Sequence, residues 1–593
     1  MEQGTATGAK GWEGMLRPPP PGPPPSPGRP SLPPPPGPPP SAPGWASVPP
    51  PGHVAVTATL PQVLDDREAP ASPPAGSPSA PPSPVRPRLS QIPGLPLTII
   101  LTIQAVLSAR LIASNTAFSD EALYLWAGRL EWAHWLHGAP VPDFASYFSG
   151  APIVYPPIAA LADAIGGLTA ARLASLGLML GATILLHGFT RRIFDRRSAS
   201  FAAAVFVALG PAQFLGAFAT YDALAIFLLA LATWLGVRAA GCRVVAARSG
   251  LLVLAGVVLA TADAAKYAAA LFDVVVVLAI ACYHWHARGR RDGVFAGLLV
   301  TIAAAGAIAT ALTAGGHPYW AGVTSTTLSR ATSNWPAFGI WYASAGWVGV
   351  ALILAVFGAI AASCATKSAA ARTLIWTLAG AGFLAPAEQA RIHVFTSLFK
   401  HVAFGGWFAA PLAGYALTAF IKAIPISKMA RARRLALGLV ALSGLLGALL
   451  AADHYGNWAN ADPVLPTLSA TIRTHPGQLL VDDGPSFDYY LTGVQPWQRI
   501  TAVPNESSAS LAQAVRQRQF SVIMLSYALG GGGCGNADPR EQSSQSQCLH
   551  NIDLKVLGDI ISDGGYQFVA RIPYSTTAFH GAYLVYAREG HRR

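Results

Sequence analysis

Apolar residues run almost unbroken at about eleven places along the chain, each near the roughly 20 residues a helix needs to cross a bilayer, and short polar segments separate them. The runs centre on residues 95–115, 168–188, 199–218, 222–240, 250–265, 268–285, 293–314, 346–364, 373–388, 402–420 and 434–452. The stretch from Leu251 to Tyr283 fits one long helix or two short ones. Asp263, Lys266 and Asp273 interrupt it, and charge is costly at the bilayer centre, so two spans are predicted. The pattern changes at both ends. Residues 1–95 hold 30 of the 50 prolines, in runs such as Pro33 to Pro36. Such a tract cannot bury enough apolar surface to fold and is expected to be a disordered tail rich in polyproline II. The pattern of a signal peptide is absent from it, so the first apolar run is expected to serve as an internal signal anchor. After residue 453, soluble patterning returns. Candidate strands (Gln478 to Val481, Ser521 to Leu525, Gly581 to Tyr586) alternate with helical stretches (Ser510 to Arg518, Leu554 to Ser562), which predicts a small α/β domain. The glycine run Gly530 to Gly533 lacks the strand and helix context of a phosphate loop and is read as a turn. The expected architecture is mainly α. A polytopic transmembrane helical bundle spans 96–453, a small α/β domain spans 454–593, and a Pro-rich tail spans 1–95.

Composition agrees with lipid as the solvent. Hydrophobic residues make up 52% and charged residues 11%, against about a quarter charged in soluble domains. The net charge of +12 is spread in short clusters between apolar runs, which is how topology signals look, so nucleic-acid binding is not expected. Alternate loops carry Arg191, Arg192, Arg196 and Arg197; Arg238, Arg243 and Arg248; Arg288, Arg290 and Arg291; Lys367 and Arg372; and Lys422, Lys428, Arg431, Arg433 and Arg434. The opposite loops hold only Arg129, Lys266, Arg330, Arg391 and Lys400. Basic loops stay cytoplasmic. The tail is therefore expected inside, the α/β domain outside, and the protein in the plasma membrane. Cys242, Cys282 and Cys364 lie in or beside apolar runs, where a buried thiol is ordinary. Cys534 and Cys548 lie in the exported region, where a disulfide is plausible.

The few polar groups on the depleted side carry the chemistry. Ser119-Asp120-Glu121-Ala122-Leu123-Tyr124 follows the first span, and Tyr155-Pro156-Pro157 opens the second. Tyr221-Asp222 heads the fourth, Lys266-Tyr267 lies between the fifth and sixth, and Arg391, Lys400 and His401 precede or enter the tenth. Singly, each has an ordinary reading: acids cap helix starts, prolines begin helices, and lysines snorkel. Together, acids and cations gather where the charge rule disfavours cations, and a cation kept there usually meets an anion. Sugar transfer from a polyprenyl phosphate has this requirement. Its leaving group is a phosphate whose growing charge needs cations, and its acceptor hydroxyl needs one carboxylate base.

At these residues the chain resembles the GT-C membrane glycosyltransferases, in the branch of the protein O-mannosyltransferases and aminoarabinose-transferase-like enzymes, glycosyltransferase family 39. Ser119-Asp120-Glu121-Ala-Leu-Tyr resembles the acidic motif of that family's first loop, and Tyr155-Pro156-Pro157 resembles the aromatic/Pro motif that ends it. Asp222 and Lys266 match in order, and the resemblance covers residues 95 to 420. It implies a GT-C fold, a polyprenyl-monophosphate sugar donor and an inverting single displacement. It also implies Asp120 as catalytic base, with Glu121 supporting the base or the acceptor. Lys266, Arg391, Lys400 and His401 are the candidates for the donor phosphate, and Asp222 and Tyr155 for positioning substrate. The C-terminal α/β domain departs from the family's inserted luminal domain, so the acceptor (glycan, lipid or protein) stays open. No cofactor is expected. A divalent metal at such carboxylates is possible, but no DxD pair supports one. Two other readings remain: a transporter or flippase of a lipid-linked or anionic solute, which calls for inverted repeats that the sequence does not display, and a non-catalytic platform for the α/β domain.

Overall fold

The computed structural model describes residues 94–330, 335–503, 508–529, 556–577 and 580–589. The Pro-rich tail, Gly530 to Gly533, and Cys534 and Cys548 lie outside the described residues.

The bundle is built from α1 (Leu95–Ile112), α2 (Ser119–His137), α3 (Tyr155–Ile193), α4 (Arg196–Ala208), α5 (Gly210–Leu215), α6 (Tyr221–Ala239), α7 (Val245–Ala265), α8 (Asp273–Arg288), α9 (Arg290–Val323), α10 (Ala337–Ala365), α11 (Ala369–Arg391), α12 (Leu398–Ala423) and α13 (Met429–Tyr455). Among the described residues, nine helices are long and apolar enough to cross a membrane, and the chain is a multi-pass membrane protein. The other two predicted spans are also helical. One is the α4–α5 pair, interrupted at Leu209 before Gly210-Pro211. The other is α11, which carries Arg372, Glu388 and Arg391 and is less apolar. The segment predicted as two short spans is two helices, α7 and α8, with a 3-10 turn at Tyr267–Phe272 between them. Its charged residues sit around that turn rather than at mid-span.

One local expectation changes. Tyr155-Pro156-Pro157 opens α3, but the helical path breaks at Gly166 and Gly167, the latter at φ +66. The motif therefore starts a short segment ahead of the break, and the span proper begins after it. Only glycine adopts that backbone freely.

The two ends of the bundle differ in charge. At one end Lys422 meets Asp195 at 3.0 Å, and Arg248 and Arg288 meet Asp292 at 3.3 and 4.0 Å. These residues belong to the arginine-rich loops. α7 runs from Arg248 at this end to Lys266 at the other, and α12 runs from Lys422 back to Lys400.

The C-terminal region adds α14 (Leu465–Thr474), β1 (Gln478–Val481), α15 (Gly484–Tyr490), β2 (Ile500–Ala502), α16 (Ser508–Arg516), β3 (Phe520–Leu529), a helical segment over 556–563, β4 (Tyr566–Ser575) and β5 (His580–Arg588). The sheet order is β2-β1-β3-β5-β4, with β1 parallel to both neighbours and β5 antiparallel to β3 and β4. Alternation along β1 sends Leu479 and Val481 to one apolar layer with Leu468 and Phe487. It sends Leu480 to the other, with Val515 and Ile560. A strand covered on both faces is apolar at successive positions for this reason.

The domain sits on α2. Tyr490 Oη accepts from the Ala117 N–H at 2.6 Å, and Arg129 Nη1 donates to Tyr489 O at 3.3 Å. Tyr489 Oη donates to Asp163 at 2.7 Å, and Asp163 also holds Arg129 at 2.6 Å.

Candidate active site

Two ion pairs form the centre. Lys400 Nζ lies 2.6 Å from Asp120 Oδ2, and Lys266 Nζ lies 2.7 Å from Asp222 Oδ1. The four side chains form one cluster, because Lys400 also feels Asp222, and Lys266 feels both Lys400 and Asp120. Three of them are closed in, but the Asp120 side chain keeps 34% of its exposure. It is the more exposed of the two carboxylates. His401 lies within electrostatic reach of Lys266, Asp222, Lys400 and Arg330.

Local sequence explains each placement. Asp120 stands in the first turn of α2, where a carboxylate suits the exposed N–H groups. Asp222 occupies the same position in α6, and Thr220 Oγ1 donates to its Oδ2 at 3.0 Å. Lys266 is the residue at which α7 ends. Its turn is pinned to the first loop, with Ala151 N donating to Ala264 O at 2.6 Å and Tyr267 N to Ser149 O at 2.9 Å. That approach requires Gly150, because a Cβ there would stand 2.2 Å from Ala265 O. Lys400 follows a loop with two left-handed residues, His393 (φ +54) and Ser397 (φ +65). Buried Gln389 braces that loop by donating to Val394 O and Thr396 O. Non-glycine residues hold such conformations only where the surroundings enforce them, often at functional sites.

An aromatic floor lies beneath. Tyr124 Oη donates to Tyr221 Oη at 2.5 Å, and Tyr221 Oη also bonds Ser149 Oγ. Lys266 Nζ sits 4.7 Å from the Tyr221 ring centre, and Lys400 Nζ sits 5.6 Å from that of Phe218. Such contacts favour a cation that has lost its water.

Three candidates occupy other places. Glu121 turns away from Asp120. Arg172 Nε donates to its Oε1 at 2.9 Å and Arg172 Nη2 to its Oε2 at 2.6 Å. The backbone N–H groups of Ala219 and Phe118 add bonds of 2.7 and 3.1 Å. Arg172 also donates to the carbonyls of Ile112, Asn115 and Thr116. The pair therefore ties the end of α1, the start of α2 and the residues before α6 together. With both carboxylate oxygens occupied by Arg172 and backbone N–H groups, Glu121 is placed to anchor these segments, away from the Asp120 side chain that it was expected to support. Arg391 is two-thirds exposed and is bound to Glu388 at 2.6 Å one turn back along α11. Its tight surface pair keeps it out of the Asp120 cluster. Tyr155 is buried with edge contacts to Tyr124 and Tyr221, at 6.4 and 6.3 Å between ring centres. It packs against the aromatic floor of the site and lies within electrostatic reach of Asp222.

Two further residues, Arg330 and Arg172, belong to none of the sequence motifs. Arg330, just after α9, lies within electrostatic reach of Asp120 and Tyr221. Its signal in the sequence is a cation on the depleted side. Arg172 had a plainer signal, a charge in an apolar run. Among the described residues, no group of three or more His, Cys, Asp or Glu side chains is placed to share a metal ion.

No protein-family model matches the chain, and no curated protein does. Solved structures do. The oligosaccharyltransferase of Archaeoglobus fulgidus in its apo form aligns at a TM-score of 0.50 and 12% identity, over 85% of this chain and 76% of that one. ArnT from Cupriavidus metallidurans aligns at 0.49, in the apo state (15% identity, 82% of this chain and 97% of that one) and bound to undecaprenyl phosphate (14%, 83% and 98%). Both are GT-C glycosyltransferases. This chain has a GT-C fold. The GT-C bundle here brings the first loop, the α7–α8 turn and the start of α12 to one end, where the two ion pairs meet.

Proposed function

We propose that the chain is an integral-membrane glycosyltransferase. It moves a sugar from a polyprenyl-monophosphate carrier to an acceptor hydroxyl at the outer face of the membrane. The observation that carries this reading is the interlocked pairing of Asp120 with Lys400 and Asp222 with Lys266, with Arg330 and His401 beside them. The loops at this end are poor in cations, which supports an outward orientation.

In this reading the carrier phosphate takes its place against Lys266, Lys400 and Arg330. Lys400 then turns from Asp120 toward the phosphate, which leaves the Asp120 carboxylate free to accept a proton. The acceptor oxygen attacks the anomeric carbon. The bond from that carbon to the phosphate oxygen breaks, and the acceptor proton passes to Asp120. The departing phosphate keeps the electron pair, and its added charge is met by cations already in place, which is where preorganised charge acts on a rate. Asp222 holds Lys266 for this role.

The test is mass analysis of lipid and product after full-length protein in liposomes is fed polyprenyl-phosphate sugars of different identity. Consumption of the donor, with free polyprenyl phosphate formed in step with a glycosylated product, is expected. Donor that crosses the bilayer unconsumed would replace the enzyme reading with a transporter. Donor neither consumed nor moved would leave a binding platform.

A further inference from the structure

Lys400 is the hydrogen-bond partner of the Asp120 side chain. In the proposed reaction Lys400 turns to the donor phosphate, and that contact is lost. The aim of Asp120 then depends on its backbone, and so on the segment 113–119 that joins α1 to the first turn of α2. A base must stay in line with its hydroxyl, and a displacement of about 1 Å can cost roughly 10²-fold in rate.

Arg172 holds this segment from within the bundle, through the carbonyls of Ile112, Asn115 and Thr116. Further contacts come from chain that follows α13. Asn115 Nδ2 donates to Trp458 O at 3.0 Å. Trp458 Nε1 donates to Thr116 O at 3.0 Å, and the Ala461 N–H donates to Thr116 Oγ1 at 3.0 Å. The Phe118 and Trp458 rings meet edge-on at 5.2 Å. From α15, Tyr490 Oη accepts the Ala117 N–H at 2.6 Å, and Asp483 Oδ1 accepts the Ser119 hydroxyl at 3.1 Å. Each residue from 115 to 119 therefore touches residues of the C-terminal region. Thr116 and Ala117 are 5% and 3% exposed, so these partners satisfy polar groups that water does not reach. The link continues into the sheet. Thr577, just after β4, donates its N–H to Gly456 O at 2.8 Å and its hydroxyl to Asp453 O at 3.0 Å. That approach needs glycine, since a Cβ at Gly456 would stand 2.5 Å from Thr577 Cγ2.

We infer that the α/β domain takes part in transfer by aiming Asp120, and that Tyr490 and Ser119 are positioning residues for that carboxylate. Neither meets the reacting atoms. This rests on the glycosyltransferase reading. The cations proposed for the donor stand on other elements: Lys266 ends α7, Lys400 begins α12 and Arg330 follows α9. Loosening 115–119 should therefore slow transfer and spare donor binding.

The experiment is single-turnover transfer by full-length protein in liposomes over a range of polyprenyl-phosphate sugar, which separates the rate at saturation from donor affinity. Tyr490→Phe keeps the ring beside Tyr489, 4.8 Å away, and removes the accepting oxygen. Its saturating rate should fall roughly tenfold or more, with donor affinity within about threefold of the unaltered protein. Ser119→Ala should show the same split. Ser119→Thr keeps the hydroxyl and should stay within about threefold of the unaltered rate. If Tyr490→Phe does not fold, the two Ser119 variants carry the test. Unchanged saturating rates in Tyr490→Phe and Ser119→Ala, or losses confined to donor affinity or melting temperature, would overturn the inference. Amide hydrogen exchange over 115–121 is measured on the same proteins and should quicken in Tyr490→Phe and Ser119→Ala. Unaltered protein that consumes no donor would remove the transferase reading, and the exchange would then decide alone whether the domain holds this segment. Exchange as slow in both variants as in the unaltered protein would show that it does not.

Discussion

Glu121 and Asp120 are adjacent carboxylates with opposite expected behaviour, and Glu121 gives the sharper test. Its side chain and that of Arg172 retain 0% and 1% of their exposure. Glu121→Ala therefore leaves a guanidinium buried beside three carbonyls, with its counter-charge gone. Removing one partner of a buried ion pair costs about 3–5 kcal/mol, because the remaining charge is uncompensated, whereas replacing both by apolar groups is often close to neutral. The carbonyls that still receive Arg172 favour the lower part of that range. The ends of α1 and α2 and the residues before α6 should loosen together. The expected signature is a clear fall in melting temperature and yield for Glu121→Ala and for Arg172→Met singly, with the double variant recovering most of the loss. The assay is a double-mutant cycle on thermal unfolding in detergent, read beside turnover per folded molecule. A Glu121→Ala protein that melts like the unaltered one but has lost turnover would refute this reasoning and return Glu121 to the chemistry.

Other expectations follow from the same geometry. Lys266→Met or Lys400→Met each removes a charged contact proposed to hold the donor phosphate, worth about 1.5–3 kcal/mol. Donor KM should rise roughly 10- to 100-fold by steady-state kinetics. Arg391→Ala should change donor KM less than twofold in the same assay, since its partner is the surface residue Glu388. Gly150→Ala forces the 264–267 turn away from the first loop, so donor KM should rise severalfold with a smaller effect on melting. The Asp488 carboxyl is raised to about 8 when folded, above its value of about 4 in an unfolded chain. The folded state then holds that proton longer, so stability falls as pH rises from about 4 to about 8. Melting curves across that window should be flatter for Asp488→Asn.

The spans were legible because the length of an apolar run is a local property that lipid reads directly. The turn between α7 and α8 was legible because Asp263, Lys266 and Asp273 cannot sit easily at mid-membrane. Cations kept on the depleted side pointed to Lys266 and Lys400. Their partners were not legible, since Asp120 and Lys400 are 280 residues apart and nothing local records their meeting. The motif's resemblance set Asp120 as base and Glu121 as its support, but it did not show that Glu121 turns to Arg172. Successive residues on a helix point about 100° apart, and only the neighbours show that one meets Lys400 and the other Arg172. Arg172, a guanidinium within an apolar run, signals a buried carboxylate partner. Arg391 was misleading because Glu388 lies one turn away, and a local surface pair satisfies it. In the α/β domain the strongest strands were visible, but three-residue β2 and the α15 contact with Ser119 needed the tertiary fold.

In the proposed reaction Asp120 accepts the proton of an incoming hydroxyl while Lys266 and Lys400 hold a carrier phosphate. The most direct measurement is single-turnover sugar transfer from a polyprenyl-phosphate donor in liposomes, comparing the unaltered protein with Asp120→Asn. The isosteric variant should fold and bind donor, yet transfer slower by roughly 10²- to 10⁴-fold, the range for loss of a general base. Transfer by Asp120→Asn at the unaltered rate would contradict this role for Asp120.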